Sequence, residues 1–178
     1  HVYELLIHQI RATNGSIFVS NTGKVTEVSG SGPYTLTTDP EHGFAVGDLI
    51  RAQRFTGTGV YQSNMQVTSV TSSKVFVATL SSGDAPLAGM DYVRLGSASN
   101  ANRRGGLYLT ADDSGAPFMD IFDGVSSFGA WGTAGVIKTR LGKLDGLGLP
   151  GSYTNEYGLY AGNGTTDADA YVRLSNKT

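Results

Sequence analysis

Leu49-Ile-Arg-Ala-Gln-Arg-Phe55, Met65-Gln-Val-Thr-Ser-Val70 and Lys74-Val-Phe-Val-Ala-Thr-Leu80 decide the fold class. Each is a short run rich in β-branched or other apolar residues, which fit a pleated, half-buried surface. Ser72-Ser73 lies between Val67-Thr-Ser-Val70 and Val75-Phe-Val77 as a tight hairpin turn. Upstream, Val25-Thr-Glu-Val28, the turn Gly30-Ser-Gly-Pro33 and Tyr34-Thr-Leu-Thr-Thr38 repeat the pattern. A loop of turn formers, Asp39-Pro-Glu-His-Gly-Phe-Ala-Val-Gly-Asp48, joins the two groups. Strands recurring every ~8–12 residues, punctuated by Gly, Ser and Thr, predict a small β-barrel or sandwich over residues 25–91.

Working outward, residues 1–24 read as an N-terminal hairpin or connector. Asn14-Gly15 separates two apolar runs, and that pair tolerates the positive φ of a two-residue hairpin turn. Leu6, His8 and Ile10 alternate as a strand would, although Leu6 and Ile10 would also share a helix face. Residues 81–91 read as a linker or long loop. Beyond it, residues 92–178 form a glycine-rich region of short strands in which two fragments recur. Arg-Leu stands at 94–95, 140–141 and 173–174, and Gly-Leu-Tyr at 106–108 and 158–160. Such repeats suit a serial array of similar strands.

Composition bounds the function. The chain has 25 glycines in 178 residues, about twice ordinary usage, with no collagen period. Thirteen basic residues against fifteen acidic ones give a net charge of -2. A nucleic-acid partner would require a basic face to displace counterions, so none is expected. No apolar run approaches the ~20 residues of a helical span, and membrane insertion is not expected. The chain opens on His1 and reads as part of a longer polypeptide. There is no cysteine, so thiol catalysis, thiolate metal sites and disulfides are excluded, and oligomerisation is a natural alternative source of stability.

No catalytic, metal or cofactor site is expected. Of three histidines only His42 lies in a candidate functional loop, and the simpler reading is an imidazole bonded to local backbone in a turn. Asp112-Asp113 precede Ser114-Gly115 and read as turn formers. Asp120 and Asp123 fall on opposite faces of a strand, whereas a glycosidase needs two converging carboxylates. Asp167 and Asp169, with Asn163 and Thr165, match no calcium-loop spacing and read as a solvated loop. Arg103-Arg104 is too small a cluster for a phosphate patch. The aromatic set is different, because aromatic faces stack on sugars and serve protein interfaces. Trp131, Phe128, Tyr153, Tyr157 and Tyr160 are the candidate ligand- or receptor-binding residues, with Tyr108 beside them. Packing in a core or about an oligomer axis is the competing role.

Two stretches carry a resemblance. Glu41-His-Gly-Phe-Ala-Val-Gly-Asp-Leu-Ile-Arg51, with Tyr61–Phe76 and its Val-Thr-Ser-Val hairpin, is similar to a β module of phage tail and other virion proteins. Met119-Asp-Ile-Phe-Asp-Gly124, Arg140-Leu-Gly-Lys-Leu-Asp-Gly146 and Glu156-Tyr-Gly-Leu-Tyr160 resemble segments of tail-fibre and tail-tip proteins of tailed phages and prophages. The resemblance implies a virion protein that is often a homotrimer, partnered by other tail proteins and by a bacterial surface glycan or protein receptor. It supplies no catalytic residues. The expectation is therefore a non-enzymatic, all-β virion structural protein of a phage tail or tail fibre, acting in architecture and host attachment. The alternatives are a carbohydrate-binding module using surface aromatics and a fragment of a polysaccharide depolymerase.

Overall fold

The computed structural model describes residues 15–57, 59–151, 154–163 and 171–177. Among them are twelve strands and no α-helix. The first seven are β1 (Ser16–Val19), β2 (Thr22–Ser29), β3 (Tyr34–Asp39), β4 (Asp48–Thr56), β5 (Gly59–Val70), β6 (Val75–Gly83) and β7 (Asp91–Ser97). The rest are β8 (Gly106–Thr110), β9 (Phe118–Phe122), β10 (Ile137–Lys143), β11 (Tyr157–Gly162) and β12 (Tyr171–Ser175). The protein is all-β.

Strands β2 to β7 close into a barrel in the order β2-β3-β6-β5-β4-β7. Alternation drives it. Ile50 and Ala52 on β4, Met65 and Val67 on β5, Phe76 and Ala78 on β6 and Leu36 on β3 all point inward and are buried. Each fully buried large apolar side chain contributes ~1.5–3 kcal/mol. Register shifts between Val25 and Glu27, Leu49 and Ile50, Asn64 and Met65, and Val67 and Ser69 bend the strands, as closing a small barrel requires. The Ser72-Ser73 hairpin forms as read, with Thr71 and Ser72 N–H groups donating to Val75 O. Closure comes from Thr22 and Gly23 of β2 paired with Val93 and Tyr92 of β7. The strands of the barrel therefore run from Thr22 to Ser97, beyond the 25–91 read from sequence. Tyr92-Val-Arg-Leu95 resembled the later Arg-Leu strands, yet Tyr92 belongs to the barrel core.

The other six strands form one antiparallel sheet ordered β1-β8-β9-β10-β11-β12. Strand β1 pairs with β8, Val19 opposite Leu107, so the whole barrel is inserted between two neighbouring strands of this sheet. The run Val2–Thr13, expected to pair with Ser16–Ser20, lies outside the described residues. Both Gly-Leu-Tyr fragments and the Arg-Leu fragments at 140–141 and 173–174 take equivalent places, whereas Arg94-Leu95 belongs to the barrel. In register, Tyr108 lies opposite Asp120, Asp120 opposite Arg140, Arg140 opposite Tyr160, and Tyr160 opposite Arg173. These residues share the inner face, and Leu107, Leu141, Leu159 and Leu174 share the outer one.

The chain's own loops cover the inner face. Leu144, Leu147 and Leu149 pack on Ile137 and Tyr160. Val125 and Val136, with Phe128, Ala130 and Trp131, pack on Phe122 and against Leu95 of the barrel. Backbone bonds clasp barrel to sheet: Ser97 N–H donates to Val125 O, and Val125 N–H to Arg104 O. Arg103 grips the buried Asp48 carboxylate through Nε (2.9 Å) and Nη2 (2.6 Å), and Arg104 donates to Ser97 O and Ala98 O. The Arg103-Arg104 pair thus ties loop to barrel.

No loop among the described residues covers the outer face. Val19, Ile121, Leu141, Tyr157, Val172 and Leu174 are exposed there, at 42% to 62%. Ile17, Leu107, Leu109, Met119, Leu159 and Ala161 stand half-buried between them.

Candidate functional site

A cleft of about 950 Å³ opens between barrel and sheet. One wall is the outward row of β4, where Arg51, Gln53 and Phe55 alternate with the inward Ile50 and Ala52, together with Val93 and Leu95 of β7. The other is Phe18 of β1, Tyr108 of β8, the turn with Asp112 and Asp113, and Trp131. A smaller cavity of about 290 Å³ also touches Tyr108, Asp113 and Trp131 and extends to Asp120 and Arg140.

The floor is aromatic. Phe18 lies 5.1 Å from Trp131 and 5.7 Å from Tyr108 between ring centroids, and Trp131 meets Phe122 edge-on at 4.9 Å. Such offset and edge arrangements hold rings rigidly. Trp131 is half-buried and offers part of its ring to the cleft, and its indole N–H has no acceptor among the described residues. Phe55, 54% exposed, stands at the rim.

The walls are polar. Tyr108 hydroxyl donates to Asp113 Oδ2 at 2.6 Å. Burial and then the bond to the anionic Asp113 raise its proton affinity above that of an ordinary phenol. Gln53 Nε2 donates to Gln62 Oε1 at 2.8 Å, and Arg51 Nε to Asn64 Oδ1 at 3.0 Å. The Arg51 guanidinium is half-buried and has no carboxylate within ion-pair distance among the described residues. Burial lowers its pKa, opposed in part by the neighbouring Tyr108. Arginine stays charged regardless, so the cleft holds a partly dehydrated, unpaired cation.

Elsewhere, charged groups inside the fold are consumed by structure. Asp120 and Arg140 form a bidentate pair, with 2.7 Å for both Nε–Oδ1 and Nη2–Oδ2. Asp123 Oδ1 accepts from Gly124 N–H, facing away from Asp120. His42 is buried; its Nδ1 accepts from Phe44 N–H (2.8 Å), which leaves Nε2–H to donate to Ser72 O (3.0 Å). That is a backbone-bonded imidazole.

No protein-family model, curated protein or solved structure matches this chain.

The expected aromatic set divides. Trp131 lines the cleft, with Phe128 packed beside it in the same cluster. Tyr157 lies on the opposite, outer face of the sheet, in a shallow apolar groove with Leu141 and Met119. Tyr160 is not exposed: it is fully buried beside Tyr171 at 5.9 Å. Its place opposite Arg140 and Arg173 puts it under the Leu144–Leu149 loop, so it cannot meet a ligand. Tyr153 lies outside the described residues, as do Asp167 and Asp169. Sequence reading did not single out Arg51, Gln53 and Phe55. The alternation of Ile50 and Ala52 with Arg51 and Gln53 was the available signal for those two polar residues, whereas the apolar Phe55 on the outward parity broke the pattern.

Proposed function

We propose that this chain is a subunit of a homotrimer in the tail or tail fibre of a phage virion, acting in tail architecture and host-surface attachment. The observation that carries the reading is the outer sheet face. Its six exposed apolar side chains alone amount to roughly 600 Å², the upper end of what a monomer tolerates in one patch. The half-buried apolar residues between them carry it toward the ~800 Å² per partner of a stable interface. Copies of this chain are the occupants the chemistry favours. The one charged side chain whose register puts it on this face among the described residues, Lys143 at its end, is paired with Asp145 at 3.5 Å, so little charge is left to select a charged partner, and a predominantly apolar surface is complementary to itself about a symmetry axis. The absence of cysteine and the likeness of residues 41–76 and 119–160 to tail proteins support the same reading. Nothing in it requires catalysis.

Sedimentation velocity at micromolar concentration tests it. The expected result is a trimer that falls to monomer in the Leu141→Glu/Leu174→Glu double variant, with the far-ultraviolet spectrum unchanged. A monomeric parent chain overturns the reading. If that monomer begins to associate once residues 1–14 are removed, the preceding segment, not a second copy, covers the face. A second reading, a carbohydrate-binding module independent of any virion, is favoured by the aromatic cleft and does not need the oligomer.

A further inference from the structure

We infer that the cleft between barrel and sheet is a binding site for an acidic sugar, whose carboxylate is taken by Arg51 and whose ring packs on Trp131 and Phe55. The inference deepens the attachment half of the proposed function and rests on it.

Three observations converge. The first is Arg51. Its Nε is held by Asn64, which fixes the plane of the guanidinium. Its two Nη groups have no partner among the described residues, and they form the side of the fork that binds a carboxylate through two parallel bonds. Every other half-buried or buried arginine among the described residues has at least one Nη group engaged: Arg103 by Asp48, Arg140 by Asp120, Arg173 by the Pro150 and Gly151 carbonyls beside its Nε bond to Glu156, Arg94 by the Arg103 carbonyl and Arg104 by the Ala98 carbonyl. A cation left partly dehydrated on a cavity wall awaits an anion from outside.

The second is the floor. Trp131, Phe18 and Tyr108 are locked ring against ring, so the apolar face they offer is preorganised and loses little entropy on binding. The C–H face of a pyranose is such a surface's natural partner. A bare inorganic anion would leave this floor wet.

The third is the remaining polar lining. Gln53, Asp112 and the Asp113–Tyr108 pair present both donors and acceptors. Sugar hydroxyls use both at once. Asp112 and Asp113 lie across the cleft with no ion pair to Arg51, and they accept hydrogen bonds from sugar hydroxyls while Arg51 selects the acid.

The test titrates the intact chain, by calorimetry and saturation-transfer NMR, with tetragalacturonate, its carboxyl-reduced neutral counterpart, and inorganic phosphate. The expected result is binding of the uronate, with transfer to its ring protons, and at least tenfold weaker binding of the neutral oligosaccharide and of phosphate. Arg51→Gln should weaken uronate binding at least tenfold and leave the neutral sugar unchanged. Phe55→Ala, a rim change that leaves the core untouched, should weaken both sugars. Equal affinity for acidic and neutral sugars overturns the assignment of Arg51 and leaves the glycan reading standing. Phosphate binding as tightly as the uronate overturns the sugar. No binding by any probe overturns the site, and sedimentation then decides separately whether the oligomeric reading survives.

Discussion

Replacing Asp120 with Asn, with Arg140 left in place, should cost the fold about 3 kcal/mol. Both side chains are about 5% exposed, and they meet through two 2.7 Å charge-assisted bonds. Arg140 also lies 3.6 Å over the Phe118 ring and donates to Asp145 O at 3.3 Å. Breaking a buried pair by removing one partner typically costs ~3–5 kcal/mol, because the surviving charge is stranded. Asparagine retains one acceptor, which argues for the lower end. At roughly 2–4 °C per kcal/mol for a chain of this size, the melting temperature should fall by ~6–12 °C. Arg140→Met should behave differently with pH. Burial already raises the Asp120 pKa, against the pull of Arg140. A carboxyl whose folded pKa lies above its unfolded value disfavours the fold as pH rises through that folded value, and the loss is relieved as pH falls back toward the ordinary carboxylate range. Without Arg140 the shift grows, so the Met variant should recover stability from pH 7 down to a pH near the ordinary carboxylate range. A guanidinium cannot give up its proton, so the Asn variant should not recover. Urea titrations of both variants at the two pH values read this directly. Losses below ~1 kcal/mol in both would match a solvated surface pair and refute the reasoning, and so would identical pH profiles.

Gly96→Ala should destabilise by ~1–3 kcal/mol, as overpacking does, because a Cβ there would overlap the Val125 carbonyl and side chain; thermal unfolding measures it. His42→Phe keeps the ring but strands the buried Phe44 N–H, while Ser72 O keeps the Val75 N–H and solvent, a loss of ~1–3 kcal/mol for one unpaired group, read by urea titration. Desolvation would raise Asp145, but N–H groups of Asn155 and Glu156 and the Lys143 ammonium outweigh it and hold its carboxyl below the usual range. Its stabilisation is therefore present above the ordinary carboxylate pKa and lost as pH falls through the lowered folded value. Asp145→Asn should destabilise at pH 7 and lose that effect as pH falls through the lowered folded value, with the carboxyl carbon shift of Asp145 titrating to match.

The barrel was legible because its signal is local. Alternation within Met65–Val70 and Lys74–Leu80, with serines between, specifies a hairpin whatever surrounds it. The limits of the barrel were not, because Thr22 to Lys24 find Asp91 to Val93 only across most of the module. The repeats were only partly informative: Gly-Leu-Tyr at 106–108 and 158–160 and Arg-Leu at 140–141 and 173–174 mark inner and outer faces of one sheet, but Arg94-Leu95 lies in the barrel. Which tyrosine is wet was illegible, since Tyr157 and Tyr160 differ only in parity and in a leucine loop folded over one of them. The cleft joins residues 15–18, 51–55, 93–95 and 108–131, and no window of sequence contains those together.

Because β1 and β8 are direct neighbours, the chain leaves the sheet at Val19 and re-enters at Leu107 from the facing position. The first and last strands of the barrel likewise lie side by side, Thr22 of β2 opposite Val93 of β7. Removing residues 20–106 and joining the flanks by a tight turn would turn β1 and β8 into an ordinary hairpin with its register intact. The same geometry lets a barrel of different sequence be spliced into that turn in a single recombination. The sheet is thus a chassis and the barrel an exchangeable head, and the cleft at their seam is the part that every such exchange would rewrite.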